Sequence, residues 1–106
     1  MYVVKTTDEF DHWLIQLRKK NHPLSHRVVQ RIKRMSMGNL GDVKSVGGRV
    51  SEARIFSTPA VRLYFTIVNG IVIILLYGGG KSDQQADIEK AQQLATQLFE
   101  EVGDEA

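Results

Sequence analysis

Apolar residues recur along this chain with two different periods. Phe10, Trp13, Leu14 and Leu17 fall at helical spacing, and Thr6 with Glu9 three positions later makes a capping-box pattern. Together they predict an amphipathic helix over residues 7–18. Residues 2–5 before it are short and β-rich, a first strand. Pro23 suits the first turn of a second helix, with Leu24, Val28, Ile32 and Met35 as its apolar stripe and Gly38-Asn39 as its stop.

Beyond residue 40 the period shortens. Residues 43–46, 50–56, 61–68 and 71–77 are β-branched or apolar runs, with Gly47-Gly48 and Asn69-Gly70 as hairpin signals. The run at 71–77 is apolar throughout, which predicts a central strand covered on both faces. Ser82 with Gln85 makes a second capping-box pattern, and Ile88, Ala91, Ala95, Leu98, Phe99 and Val102 mark a C-terminal helix whose acidic end should fray. The order β-α-α-β-β-β-β-α predicts a single α+β domain over residues 1–106. An N-terminal helical hairpin and a C-terminal helix should pack on one face of a mainly antiparallel, twisted sheet.

Composition narrows the chemistry. The 106 residues include no cysteine, so disulfides and thiolate metal sites are excluded. No signal peptide is evident, and the longest apolar run is too short to span a bilayer, so a cytoplasmic location without membrane attachment is expected. The net charge of +2 conceals a division. Between Arg18 and Arg62 eleven Lys and Arg face two acids, Asp42 and Glu52, while the rest of the chain has three bases and ten acids. Such a basic middle suits a polyanion.

Strand alternation sorts the candidate residues. Ala53 and Ile55 should face one way, and Glu52 and Arg54 the other; Val61, Leu63, Phe65 and Ile67 should face the core, with Arg62 and Tyr64 opposite. If these strands pair, Glu52, Arg54, Arg62 and Tyr64 share one open surface, with Lys44 beside them. Two arginines, a carboxylate and a tyrosine suit phosphate binding and proton transfer. A cross-strand salt bridge on an ordinary wet face is the competing reading. Arg27, Arg31 and Arg34 form a basic stripe on the second helix, which either tracks a phosphate backbone or is simply solvated. Lys81 stands where a helix begins, a position that favours anions. The glycines at 78–80 do not make a P-loop, because Leu75 occupies the place of its first glycine. His22 and His26 lack a third ligand, so no metal site is expected, and any nuclease here should act without metal or cofactor.

Several motifs occur in order. They are Phe10-x-x-Trp13-Leu14-x-x-Leu17, Arg31-Ile32, Gly38-Asn39-x-Gly41-Asp42-Val43-Lys44-x-Val46-Gly47, Val50-Ser51-Glu52-x-Arg54-Ile55, Arg62-x-Tyr64-Phe65, Leu75-Leu76-x-Gly78-Gly79-x-Lys81-Ser82-x-Gln84 and Asp87-Ile88-x-x-Ala91. In these the chain resembles the addiction-module killer proteins of the RelE/HigB-like toxin superfamily, including phage-derived host-inhibition variants. The resemblance implies a ribosome-dependent mRNA endonuclease that inhibits translation, neutralised by a cognate antitoxin, often a small helix-turn-helix protein. Carried over by position, it implies catalytic roles for Arg54 and Arg62, assisted by Glu52, and RNA contacts from Lys44 and Lys81. Strand alternation adds Tyr64 as the other candidate for proton transfer, and the basic middle adds Arg49, Arg27, Arg31 and Arg34 as RNA-binding candidates. A non-enzymatic DNA gyrase inhibitor of the ParE-like kind, or a degenerate toxin that only binds antitoxin, is the alternative. Thr58-Pro59-Ala60-Val61 stands where relatives carry Gly-Pro-Gly-Tyr, and no Tyr or His of the kind some relatives use follows Lys81.

Overall fold

In a computed structural model, which describes residues 1–102, the element order is β1 (Val3–Thr6), α1 (Asp8–Lys20), α2 (His22–Ser36), β2 (Val43–Gly47), β3 (Val50–Ile55), β4 (Val61–Val68), β5 (Val72–Gly79) and α3 (Gln84–Val102). This is the α+β order that the patterning predicts. The expected fraying falls on residues 103–106, which lie outside the described residues, as does the side chain of Val102.

Local chemistry sets the helix boundaries. Thr7, not Thr6, caps α1, its hydroxyl accepting from the Phe10 N–H at 3.0 Å. Asn21 caps α2 by accepting from the Leu24 N–H at 3.2 Å, with Pro23 in the first turn. The helical hairpin therefore pivots on a single residue, Asn21, which ends one helix and starts the next.

One five-stranded sheet has the order β1-β5-β4-β3-β2. Its neighbours are antiparallel except β1, which lies parallel to β5. Asn69 and Gly70, both at positive φ, turn β4 into β5. A bulge interrupts the β4–β5 ladder between Tyr64 and Phe65, where Phe65 pairs with Leu75 and Tyr64 with Tyr77. Leu76 is the extra residue, so Leu76 and Tyr77 both pack with the α3 side.

The sheet is covered on both faces, which corrects the expectation that all helices share one. Phe10, Leu24, Val28 and Met35 of the hairpin pack on Ala53, Ile55, Leu63, Phe65, Ile73 and Leu75. Ala91, Leu94, Ala95 and Phe99 of α3 pack on Val50, Tyr64 and Leu76 across the sheet. The continuous apolar run of β5 requires this, because its alternate residues enter opposite cores. The α3 stripe shifts accordingly: Leu94 is buried and Leu98 is only half-buried. At the end of β5, Gly78 admits the Trp13 ring on one side and Gly79 admits the Asp87 carboxylate on the other.

Candidate functional site

Sheet register assembles the candidate residues into two adjoining rungs. Lys44 pairs with Glu52, Glu52 with Tyr64, and Tyr64 with Tyr77. Two positions along, and so next on the same face, Arg54 pairs with Arg62, and Arg62 with Gly79. The structure thus brings Lys44, Glu52, Arg54, Arg62 and Tyr64 together, as alternation predicts.

It leaves Lys44 and Arg54 partly open but not the other three. Glu52 is 1% exposed, Arg62 6% and Tyr64 0%, because the first turns of α3 lie over them. Gln84 donates to Glu52 Oε2 at 2.9 Å. Arg62 Nε lies 3.8 Å from the same carboxylate oxygen, and Lys44 Nζ lies 3.8 Å from Oε1. The expected open wet face is therefore a buried polar cluster. Its charges are matched only loosely. Among the described residues, Arg62 Nε and Nη1 and Tyr64 Oη make no hydrogen bond of ordinary length and geometry. Burial, reinforced by the nearby Glu52 and Asp87 charges, raises the Tyr64 phenol well above its ordinary value, so it remains a proton donor. Asp87, reaching in over Gly79, is also raised, first by burial and then by Asp83.

Arg54 belongs to a second arrangement. Its guanidinium is two-fifths exposed, bonds Asp42 Oδ2 through Nε at 3.1 Å, and lies 5.0 Å from the centre of the Phe56 ring. With Arg27, Arg31, Arg34, Asp42 and Phe56 it lines a cleft of about 470 Å³ between α2 and the end of β3.

The α2 stripe requires a correction at Arg31. Its side chain is buried, with Nε and Nη2 donating to Leu40 O at 3.1 and 2.9 Å, Nη1 to Arg54 O at 2.8 Å and Nη2 to Asp42 O at 3.1 Å. Gly41, at φ +74°, passes directly against this guanidinium. Arg31 therefore holds three stretches of backbone together and cannot reach out to a phosphate. Desolvation and the neighbouring Arg34 lower its pKa. Arg27 and Arg34 are exposed as a stripe requires.

The remaining candidates stand apart. Arg49, at positive φ in the β2–β3 turn, places its guanidinium 4.5 Å over the Phe99 ring. Lys81 is exposed in the turn before α3. Asp42, Phe56, Gln84 and Asp87 also belong to these two arrangements, and neither strand alternation nor helical spacing singles them out. The adjacent glycines at 78 and 79 were the available signal for Asp87, since paired glycines at a strand end mark close approach by other groups. Phe56, an aromatic at a strand end just before a turn, was the signal for the cleft.

A protein of Haemophilus influenzae, described only as uncharacterized, is 44% identical over 95 residues that cover 90% of this chain and 94% of that protein. The chain belongs to that protein's family. No model of a known protein family matches the chain. A shared length this nearly complete extends the family likeness over all the elements that carry the cluster and the cleft. Among the described residues, no group of three or more His, Cys, Asp or Glu is placed to hold a metal ion, and no helix is long and apolar enough to cross a membrane.

Proposed function

We propose that this protein is the toxin of a toxin–antitoxin pair, a cytoplasmic RelE/HigB-like endoribonuclease that cuts mRNA on the ribosome and is held inactive by a cognate antitoxin. The observation that carries the reading is the pair of rungs on β3 and β4, which sets Arg54 beside Arg62 and Glu52 beside Tyr64. In the proposed reaction the RNA 2′-oxygen attacks the adjacent phosphorus as Glu52 takes its proton. The bond to the 5′-oxygen breaks and Tyr64 protonates that leaving oxygen, giving a 2′,3′-cyclic phosphate and a 5′-hydroxyl end. The raised Tyr64 phenol suits a donor rather than a base. The unpartnered Arg62 N–H groups, with Arg54, would stabilise the added negative charge of the pentavalent phosphorus. Lys44, Lys81 and Arg49 would steady neighbouring phosphates. Substrate reaches this cluster only if the Gln84 turn of α3 moves away from Glu52.

The burial of Glu52, Arg62 and Tyr64 is the one observation that favours a second reading, a non-enzymatic toxin that inhibits DNA gyrase or only binds antitoxin. Brief expression in cells followed by mapping of mRNA 5′ ends separates the two. Cuts placed within translated codons are expected. Intact mRNA with loss of DNA supercoiling would establish the second reading instead.

A further inference from the structure

The cleft between α2 and the end of β3 is chemically distinct from the buried cluster. It has four guanidiniums against one carboxylate, and that carboxylate, Asp42, is already engaged by Arg54. Arg31 forms its floor, hydrogen-bonded to backbone carbonyls, and shares the single nearby acid, Asp42, with Arg54. Burial first, and then the nearby Arg34, lower the Arg31 pKa, so Arg34 stands close enough for like charges to act on each other. The wall opposite is apolar, formed by Ile55 and Phe56. Phe56 is 66% exposed, although an aromatic ring is a strong candidate for burial. Arg27 Nη2 donates to the Phe56 carbonyl at 3.0 Å and fixes its backbone. The Arg54 guanidinium stands over the ring, and much of the ring still meets solvent. The volume of about 470 Å³ falls in the range of roughly 300–1,000 Å³ typical of small-ligand sites.

Guanidiniums recognise phosphate through paired N–H donors, and an open aromatic ring recognises a nucleobase by stacking. We infer that this cleft seats a nucleotide of single-stranded RNA, its base on Phe56 and its phosphates on Arg27, Arg34 and Arg54. The inference rests on the RNA reading above and adds to it a subsite outside the reacting cluster. Arg54 joins the two places, because it lines the cleft and is the register partner of Arg62. A nucleotide held here would bring the next phosphate toward the rungs. An acidic peptide would satisfy the arginines and leave the ring without a use.

Fluorescence anisotropy with a labelled single-stranded oligoadenylate of about eight nucleotides tests this. Phe56→Ala is expected to weaken binding roughly 5- to 150-fold, and Phe56→Trp to retain it. Arg34→Ala is expected to flatten the dependence of log Kd on log salt by about 0.7, the value of one phosphate on a single strand. Both residues are exposed, so unchanged thermal melting of each variant is expected as well. Equal binding by wild type and Phe56→Ala, or no binding by wild type, overturns the inference. Displacement of the RNA by poly-glutamate at equal or lower concentration also overturns it and assigns the cleft to an acidic partner. Mapping of mRNA ends in the same strains keeps the two proposals apart. Cleavage without Phe56-dependent binding removes the subsite alone, and Phe56-dependent binding without cleavage removes the nuclease alone.

Discussion

Glu52 and Tyr64 are register partners across β3 and β4, and neither side chain reaches solvent. The phenolic oxygen makes no hydrogen bond of ordinary length and geometry among the described residues, although the Glu52 carboxylate is near enough to act on it. A buried hydroxyl left unpaired costs about 1–3 kcal/mol. Tyr64→Phe is therefore expected to melt no lower than wild type, and higher if the ring keeps its place. If the phenol protonates the leaving oxygen, the same variant loses mRNA cleavage by about a hundredfold or more. Stability up with cleavage down is the expected combination, read by calorimetry and by cleavage on purified ribosomes. Full cleavage by Tyr64→Phe would remove Tyr64 from the chemistry.

Arg62 follows a different rule. Because it lies beside Glu52 under α3, Arg62→Ala leaves a buried carboxylate with only the neutral Gln84 amide and the exposed Lys44 ammonium beside it. Breaking a buried pair on one side costs ~3–5 kcal/mol. Denaturant unfolding of Arg62→Ala is expected to show a loss of that size, and the double variant Glu52→Gln with Arg62→Met to recover most of it. Loss of toxicity in Arg62→Ala alone therefore cannot identify a catalytic arginine. A stable, inactive double variant shows that activity is lost with the Glu52 and Arg62 groups themselves and not through unfolding.

The arginines of α2 divide into structural and exposed members. Arg31→Ala orphans the Leu40 and Arg54 carbonyls and leaves the Asp42 carbonyl with only the Arg54 N–H, so each loses a charged donor. Such bonds contribute about 1.5–3 kcal/mol apiece, so a loss of several kcal/mol is expected. Arg34→Ala should change stability by no more than about 0.5 kcal/mol. Equal melting temperatures for the two variants would contradict the buried fork.

Asp87 gives the fold a pH signature. Its carboxyl is raised above the ordinary value in the folded protein, so between those two values the folded state binds more protons than the unfolded state. Stability contributed by the neutral form is fully present at acid pH and is lost as pH rises through the raised value. Asp87→Asn is expected to melt higher than wild type at neutral pH, with the difference vanishing in acid below the ordinary carboxylate range. A gain that persists unchanged at low pH would place the cause elsewhere.

The C-terminal helix offers a paired comparison. Phe99 is buried against the sheet and lies under the Arg49 guanidinium, whereas its neighbour Leu98 is half-buried. Phe99→Ala should cost ~3–5 kcal/mol, and Leu98→Ala distinctly less. Similar losses in the two variants would mean that α3 sits rotated from the arrangement described.

The fold was legible because the period of the apolar residues changes cleanly at residue 40, and because turn chemistry such as Asn69-Gly70 separates the strands. Alternation also placed Glu52, Arg54, Arg62 and Tyr64 on one side of the sheet. It could not reveal what covers that side. Polar residues on a strand face read as solvent-facing, yet a continuous apolar run in β5 needs cover on both sides, and α3 supplies it over the polar residues too. Arg31 was misread for a related reason. Helical spacing groups it with Arg27 and Arg34, but the carbonyls that draw it inward come from Leu40, Asp42 and Arg54, which no helical period can register.

The parallel pairing of β1 with β5 bears on how the molecule is made. Thr7 donates its hydroxyl proton to the Leu76 carbonyl, 69 positions away in sequence. The antiparallel strands β2 to β5 can form by successive short-range hairpins, but β1 has no partner until β5 exists. Contacts of long sequence separation are slow to form, because loop closure precedes any gain from them. On a translating ribosome, the strand synthesised first must wait for nearly three-quarters of the chain before it can join the sheet. Until then the hairpin core against β5 is incomplete, and each newly made molecule passes through an interval in which its apolar surface is open to other chains.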